Sequence, residues 1–129
     1  MEGIVNLENI FEEVEETHDY LVTPYDFENS DIILNLKTRK LHVGVSRSVW
    51  KASIVMSNFL QRAYTENDPQ LELRKAQRIV ELGSGPGLGG LFASSLIKEA
   101  ENIYMTDICT KSLQLIRENI IDNRDQCNP

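Results

Sequence analysis

Arg78-Ile-Val-Glu-Leu-Gly-Ser-Gly-Pro-Gly-Leu-Gly-Gly90 is the stretch that decides how this chain folds. Ile79, Val80 and Leu82 form a short apolar run closed by turn residues, which predicts a buried strand. Gly83, Gly85, Gly87 and Gly89 then recur at every second position. Glycine has no Cβ, so a turn built this way brings backbone amides close to a ligand. Beyond it, Leu88, Leu91, Phe92, Ser95 and Leu96 recur at helical spacing and predict an amphipathic helix. Asn102-Ile-Tyr-Met-Thr-Asp107 predicts a second strand, ending on a carboxylate 20 residues beyond Gly87. Strand, glycine turn, helix and acid-tipped strand make a nucleotide-type ligand site at the carboxyl edge of a parallel sheet.

The glycines alone do not choose the ligand. Gly85-x-Gly87-x-x-Gly90 matches the G-x-G-x-x-G dinucleotide pattern, which is short and often fortuitous. Glu81 points elsewhere. It stands two residues before Gly83, where a carboxylate facing a pyrophosphate is repelled and a carboxylate facing a cation is paired. S-adenosyl-L-methionine carries an ammonium and a sulfonium, a carboxylate suited to helix amides, and a ribose diol suited to Asp107. The pattern therefore fits that cofactor better than a dinucleotide. A tight strand–helix packing turn that holds no ligand is the bland alternative.

Glu81-Leu-Gly-Ser-Gly-Pro-Gly-Leu-Gly89 resembles the first motif of class I, seven-strand S-adenosylmethionine methyltransferases. Thr106-Asp107 followed by Leu113, Asn119 and Asn123 resembles the second strand and helix of their protein-lysine branch. Val43-Gly-Val-Ser-Arg-Ser-Val-Trp50-Lys-Ala-Ser is similar to that branch's tryptophan-containing helix. The resemblance spans about residues 31–123. It implies an α/β fold, a partial Rossmann-like doubly wound sheet forming the front, cofactor-binding half of such a domain. It also implies methyl transfer to lysine side chains of a protein, and a place near the cofactor for Trp50, for which core packing is the competing reading. The candidate cofactor-binding residues are Glu81, Gly83, Ser84, Gly85, Gly87, Asp107 and Ile108, with Trp50 added by the resemblance.

The rest of the chain bounds these readings. With 129 residues and 41% apolar composition it holds one globular domain at most. No run approaches the roughly 18 apolar residues of a membrane span, and the acidic start lacks a signal peptide's basic and apolar regions. Cys109 and Cys127 form no metal-type pair and suit a reducing compartment, so cytoplasm or nucleus is expected. A formal charge of −7 argues against nucleic acid as a partner. Nine of the 20 acids and none of the 13 basic residues fall in residues 1–30, leaving the remainder slightly positive. This acidic segment reads as a solvated arm or a surface helix from Leu7 to Tyr20, or as an electrostatic guide for a basic protein substrate. Pro24 and the aromatic residues Tyr20, Tyr25 and Phe27 suggest that it turns and docks.

Between this segment and the glycine stretch, 31–36 and 40–43 read as the strands of a hairpin turning at Lys37-Thr-Arg39. His42 there reads as a surface or packing residue. A helix over 46–64 follows, capped by Ser46 or Ser48 and striped by Val49, Ala52, Met56, Phe59, Leu60 and Ala63. After Asp107, Leu113, Ile116 and Ile120 predict a helix to about Asn123, with Lys111 and Arg117 on its outer face. The first domain element is thus 1–30 and the methyltransferase half 31–129.

Only two parallel strands are legible, and an open central strand leaves backbone groups unpaired. The chain therefore reads as truncated, expected to bind the cofactor weakly or not at all by itself. Two chance matches to the branch's acid-x-x-aromatic motif, Glu8-x-x-Phe11 and Glu101-x-x-Tyr104, receive no role, so no catalytic residue and no metal ligand is assigned. A non-catalytic binding module and a fragment of a dinucleotide-dependent oxidoreductase remain as alternatives, and Glu81 tells against the latter.

Overall fold

The computed structural model describes residues 20–39 and 49–127. In chain order these form β1 (Tyr20–Asp26), β2 (Ile33–Arg39), α1 (Lys51–Thr65), a 3-10 turn (Leu73–Lys75), β3 (Arg78–Glu81), α2 (Leu88–Leu96), β4 (Asn102–Met105) and α3 (Thr110–Asp122). β1 and β2 pair antiparallel, while β3 and β4 pair parallel with Arg78 opposite Asn102 and Glu81 opposite Met105. Parallel neighbours need a crossover, and α2 supplies it. This β3–α2–β4 unit is part of a Rossmann-like α/β fold, as expected from the glycine stretch.

The hairpin lies elsewhere than expected. Lys37-Thr-Arg39 does not turn but continues β2, with Lys37, Thr38 and Arg39 opposite Val22, Leu21 and Tyr20. Leu34, Leu36 and Thr38 are all buried, so the period-two pattern carries the strand through Thr38. The turn falls between Asp26 and Ile33, where Ser30 N–H donates to Phe27 O at 3.3 Å and Asn29 is left-handed at φ +56°. Residues 20–30 thus belong to the folded body, not to an acidic arm. Residues 1–19, with most of the helix expected from Leu7, lie outside the described residues, as do the expected strand 40–43, His42, Ser46 and Ser48. α1 begins at Lys51 behind an extended Trp50 (φ −84°, ψ 144°) and runs one residue past the expected end.

α2 is buried almost all round: Leu88 through Ala93, Ser95 and Leu96 lose solvent contact. The amphipathic stripe expected there is half of the story, because three partners surround the helix. Phe27 of the hairpin turn sets its ring 4.2 Å from that of Phe92, at 41°. Val49, Ile54 and Leu60 pack from the α1 side, and Ile79, Ile103 and Met105 from the sheet. The other face of the sheet carries no described element. Val80 and Tyr104, opposite one another, are 61% and 52% exposed, and Leu82 is 82% exposed. β3, expected as a buried strand, is thus half-buried on its Ile79 and Glu81 side alone, because no described element covers the other face.

α3 also turns a different side inward. Ser112, Leu115, Ile116 and Asn119 are buried, whereas Leu113 is half-buried and Ile120 is exposed. Two asparagines set the rotation. Asn123 Oδ1 accepts from Asn35 N–H (2.8 Å) and its Nδ2 donates to Asn35 O (2.8 Å). One helical turn earlier, Asn119 Oδ1 accepts from Lys37 N–H (2.7 Å) and its Nδ2 donates to Lys37 O (3.0 Å). Residues two apart on a strand present their amides to the same edge, and residues four apart on a helix share a face. The side-chain amides thus act as a neighbouring strand and close an otherwise open β2 edge.

Phe92 has no solvent exposure and carries the contact between hairpin and βαβ unit. Phe92→Ala should lower folding stability by about 3–5 kcal/mol, read as a lower urea midpoint. A loss below about 1 kcal/mol, the scale of a surface change, would show that this packing does not join the two sheets.

Candidate functional site

The loop between β3 and α2 passes through three left-handed glycines, Gly83 (φ +66°), Gly85 (φ +54°) and Gly87 (φ +96°). Side chains are strained in that region. At Gly87 a Cβ would in addition press within 3.2 Å of Ile116 Cγ1. At Gly83 it would meet nothing within 4 Å, so the loop is open on that side.

The end of β4 holds this loop in shape. Ser84 N–H donates to Thr106 O (2.8 Å), and Thr106 N–H donates to Ser84 Oγ (3.1 Å). Thr106 Oγ1 and Thr106 N–H both donate to Glu81 O, at 2.8 and 3.0 Å. Asp107 Oδ2 accepts from Gly85 N–H (2.9 Å) and Oδ1 accepts from Cys109 N–H (2.8 Å). Ile108, the next residue, is wholly exposed.

Glu81 points inward, under the start of α2. Its Oε2 accepts from Gly90 N–H at 2.9 Å, satisfying one of the amides a helix start leaves unpaired. A Cβ at Gly89 would collide with Glu81 Oε1 and lie 2.6 Å from Met56 Cε. With glycine there, the carboxylate and the tip of Met56 lie directly against the helix. Burial pushes the Glu81 carboxyl above its ordinary range, against the opposing pull of the Ser84 and Gly90 hydrogen bonds.

The structure thus brings together Glu81, Gly83, Ser84, Gly85, Gly87, Asp107 and Ile108 around one loop. Ser84 is buried, and its hydroxyl accepts from Thr106 N–H and donates to Glu81 O at 3.4 Å. Trp50 stands at the head of α1, 57% exposed, and it is Met56 of α1 that lies against Gly89. Sequence reasoning gave no bracing role to Thr106 or Asn119. Its usable signal was two amide side chains at i, i+4 beside Leu115 and Ile116, on a face where polar groups must find partners. A cavity of about 260 Å³ lies between α2, α3 and β4, lined by Leu91, Ile103, Met105, Ile120 and Cys127, and no loop residue lines it.

The chain belongs to the lysine methyltransferase family, whose model matches residues 28–129. It is 31% identical over 84 residues to the zebrafish (Danio rerio) protein N-lysine methyltransferase METTL21A. That match covers 65% of this chain and 34% of the relative, so the chain spans about a third of the relative's length.

The raised Glu81 carboxyl has a consequence for stability. Its folded-state pKa exceeds the ordinary 4.5, so its contribution is whole below that value and is lost as pH rises through the folded pKa. Glu81→Gln keeps an acceptor for Gly90 N–H and cannot ionise. Between pH 4.5 and 7 the variant should gain stability relative to the parent in urea titrations. A variant–parent difference that does not move with pH would contradict a buried, charge-disfavouring site.

Proposed function

We propose that this chain forms the S-adenosyl-L-methionine site of a methyltransferase that modifies lysine side chains of a protein substrate. The observation that carries the reading is the loop itself: three left-handed glycines, Asp107 locked against Gly85 at 2.9 Å, and a fully exposed Ile108 beside them.

The residues suit that cofactor on chemical grounds. Glu81 holds a carboxylate where burial disfavours its charge, so a cationic group nearby is paired and a pyrophosphate repelled. Each Asp107 oxygen accepts one amide and keeps a lone pair for a hydroxyl donor such as a ribose diol. Ile108 offers an apolar surface next to that carboxylate, and Gly83 leaves the loop accessible. When bound, S-adenosylmethionine supplies a methyl group activated by its sulfonium. The chain's own part is to bind and orient the cofactor, since displacement reactions depend mostly on alignment and exclusion of water. No proton-transfer role falls on a described side chain. A basic protein substrate and action in cytoplasm or nucleus belong to the same reading, motivated by the acidic N-terminal segment and by two cysteines that form no disulfide.

Asp107→Asn replaces an acceptor oxygen by a donor and removes the charge. Hydrogen bonds to charged groups contribute about 1.5–3 kcal/mol each, so S-adenosylmethionine should bind at least about tenfold more weakly in calorimetric titration of the protein. Gly85→Val puts a β-branched side chain at φ +54° and should abolish binding. Unchanged affinity in both variants would place the cofactor elsewhere, or nowhere in this chain.

A further inference from the structure

We propose that Asn119 is a positioning residue for the glycine loop, fixing the turn at Pro86 from α3 while the same side chain holds the hairpin. The proposal rests on the reading of that loop as the cofactor site. Asn119 is fully buried, and its Nδ2 donates to Pro86 O at 2.9 Å as well as to Lys37 O at 3.0 Å, while Oδ1 accepts from Lys37 N–H at 2.7 Å. One primary amide thus uses both its donors and one acceptor on three backbone groups, 82 and 33 residues away in sequence.

Pro86 is where the loop most needs a handle. It stands between left-handed Gly85 and Gly87, and glycine takes either sign of φ with little preference. Proline has a fixed φ and no N–H, so its carbonyl is the one backbone hydrogen-bonding group Pro86 offers; the other end of the same peptide, Gly87 N–H, donates to Ser84 O at 2.9 Å. The Asn119 contact on that carbonyl is the restraint from outside the loop on the plane of the peptide into Gly87, which heads α2. Ile116, one turn earlier on α3, packs beneath Gly87 from the same side. The residue type is specific: aspartate lacks the two donors, leucine lacks every bond, and glutamine is a methylene too long.

Asn123 provides a matched control. It too makes three hydrogen bonds and is almost completely buried, but its partners are Asn35 N–H, Asn35 O and Asn119 O, none in the loop. Asn119→Ala and Asn123→Ala therefore remove the same number of bonds from the same strand edge, and only the first releases Pro86. Amide hydrogen exchange without cofactor should rise at least tenfold at Gly85 and Gly87 in Asn119→Ala, relative to core amides of the same variant. In Asn123→Ala it should stay within twofold. Equal effects in both variants, or none in either, overturn the proposal.

If Asn119→Ala does not fold, exchange in the unaltered chain decides. The Asn119 Nδ2 protons and the Gly87 amide should open together, with the same urea dependence, and independent opening overturns the proposal. S-adenosylmethionine titrations of the same samples keep the two readings apart. A parent protein that fails to bind removes the proposed cofactor site and leaves the exchange result standing. A parent that binds, with affinity falling about tenfold in Asn119→Ala and less than twofold in Asn123→Ala, joins them.

Discussion

A turn with glycine at alternate positions has few side chains with which to hold itself, so beyond the Gly87 N–H to Ser84 O bond that closes it, most of its shape is imposed from outside. Gly83, Gly85 and Gly87 all sit in left-handed conformations that an isolated chain samples among many others. The restraints come from three directions. Thr106 and Asp107 at the tip of β4 grip Glu81 O, Ser84 and Gly85 N–H, Glu81 from β3 grips Gly90 N–H, and Asn119 from α3 grips Pro86 O. The architecture around the loop reads as the means of delivering these grips. α2 crosses between parallel strands so that β4 ends beside the loop, and α3 packs back so that Ile116 and Asn119 reach beneath it.

The hairpin enters the same scheme by an uncommon route. A two-stranded sheet is marginal alone and leaves two edges unpaired. Here Asn119 and Asn123 stand in for a third strand at Lys37 and Asn35, while Leu34, Leu36 and Phe27 join the core beneath α2. Lys37 adds a half-buried ion pair to Glu118 at 3.1 Å, still open enough to solvent to contribute little beside the buried amides. Fold and candidate site are therefore not separate layers, since a single buried asparagine belongs to both.

How much of this was legible in the sequence depended on how local the governing physics was. The glycine spacing, the acid at the end of β4 and the helix between them are written in adjacent residues, and the strand–loop–helix–strand order follows from them. The hairpin was misplaced because Lys37-Thr-Arg39 has turn-like composition, while the strand is carried onward by the alternation of Leu34, Leu36 and Thr38, of which Leu34 and Leu36 are held in the core beneath α2. The inward face of α3 was misread for a related reason. Leu113, Ile116 and Ile120 form a good apolar stripe, but Asn119 and Asn123 gain more from partners more than eighty residues away, which no local pattern reveals. Glu81 was expected to face a ligand. The structure shows it capping α2, a use visible only once Gly89 and Gly90 are seen to let it in.

The most direct measurement is a titration of the isotope-labelled chain with S-adenosylmethionine up to millimolar concentration, following every backbone amide by NMR, where even weak binding registers. A cofactor seated against the glycine loop shifts the amides of Gly83, Gly85, Asp107 and Ile108 in a saturable way. Amides unmoved at saturating cofactor, or shifts confined to the separate cavity lined by Ile103, Ile120 and Cys127, would contradict the assignment of the loop as the cofactor site.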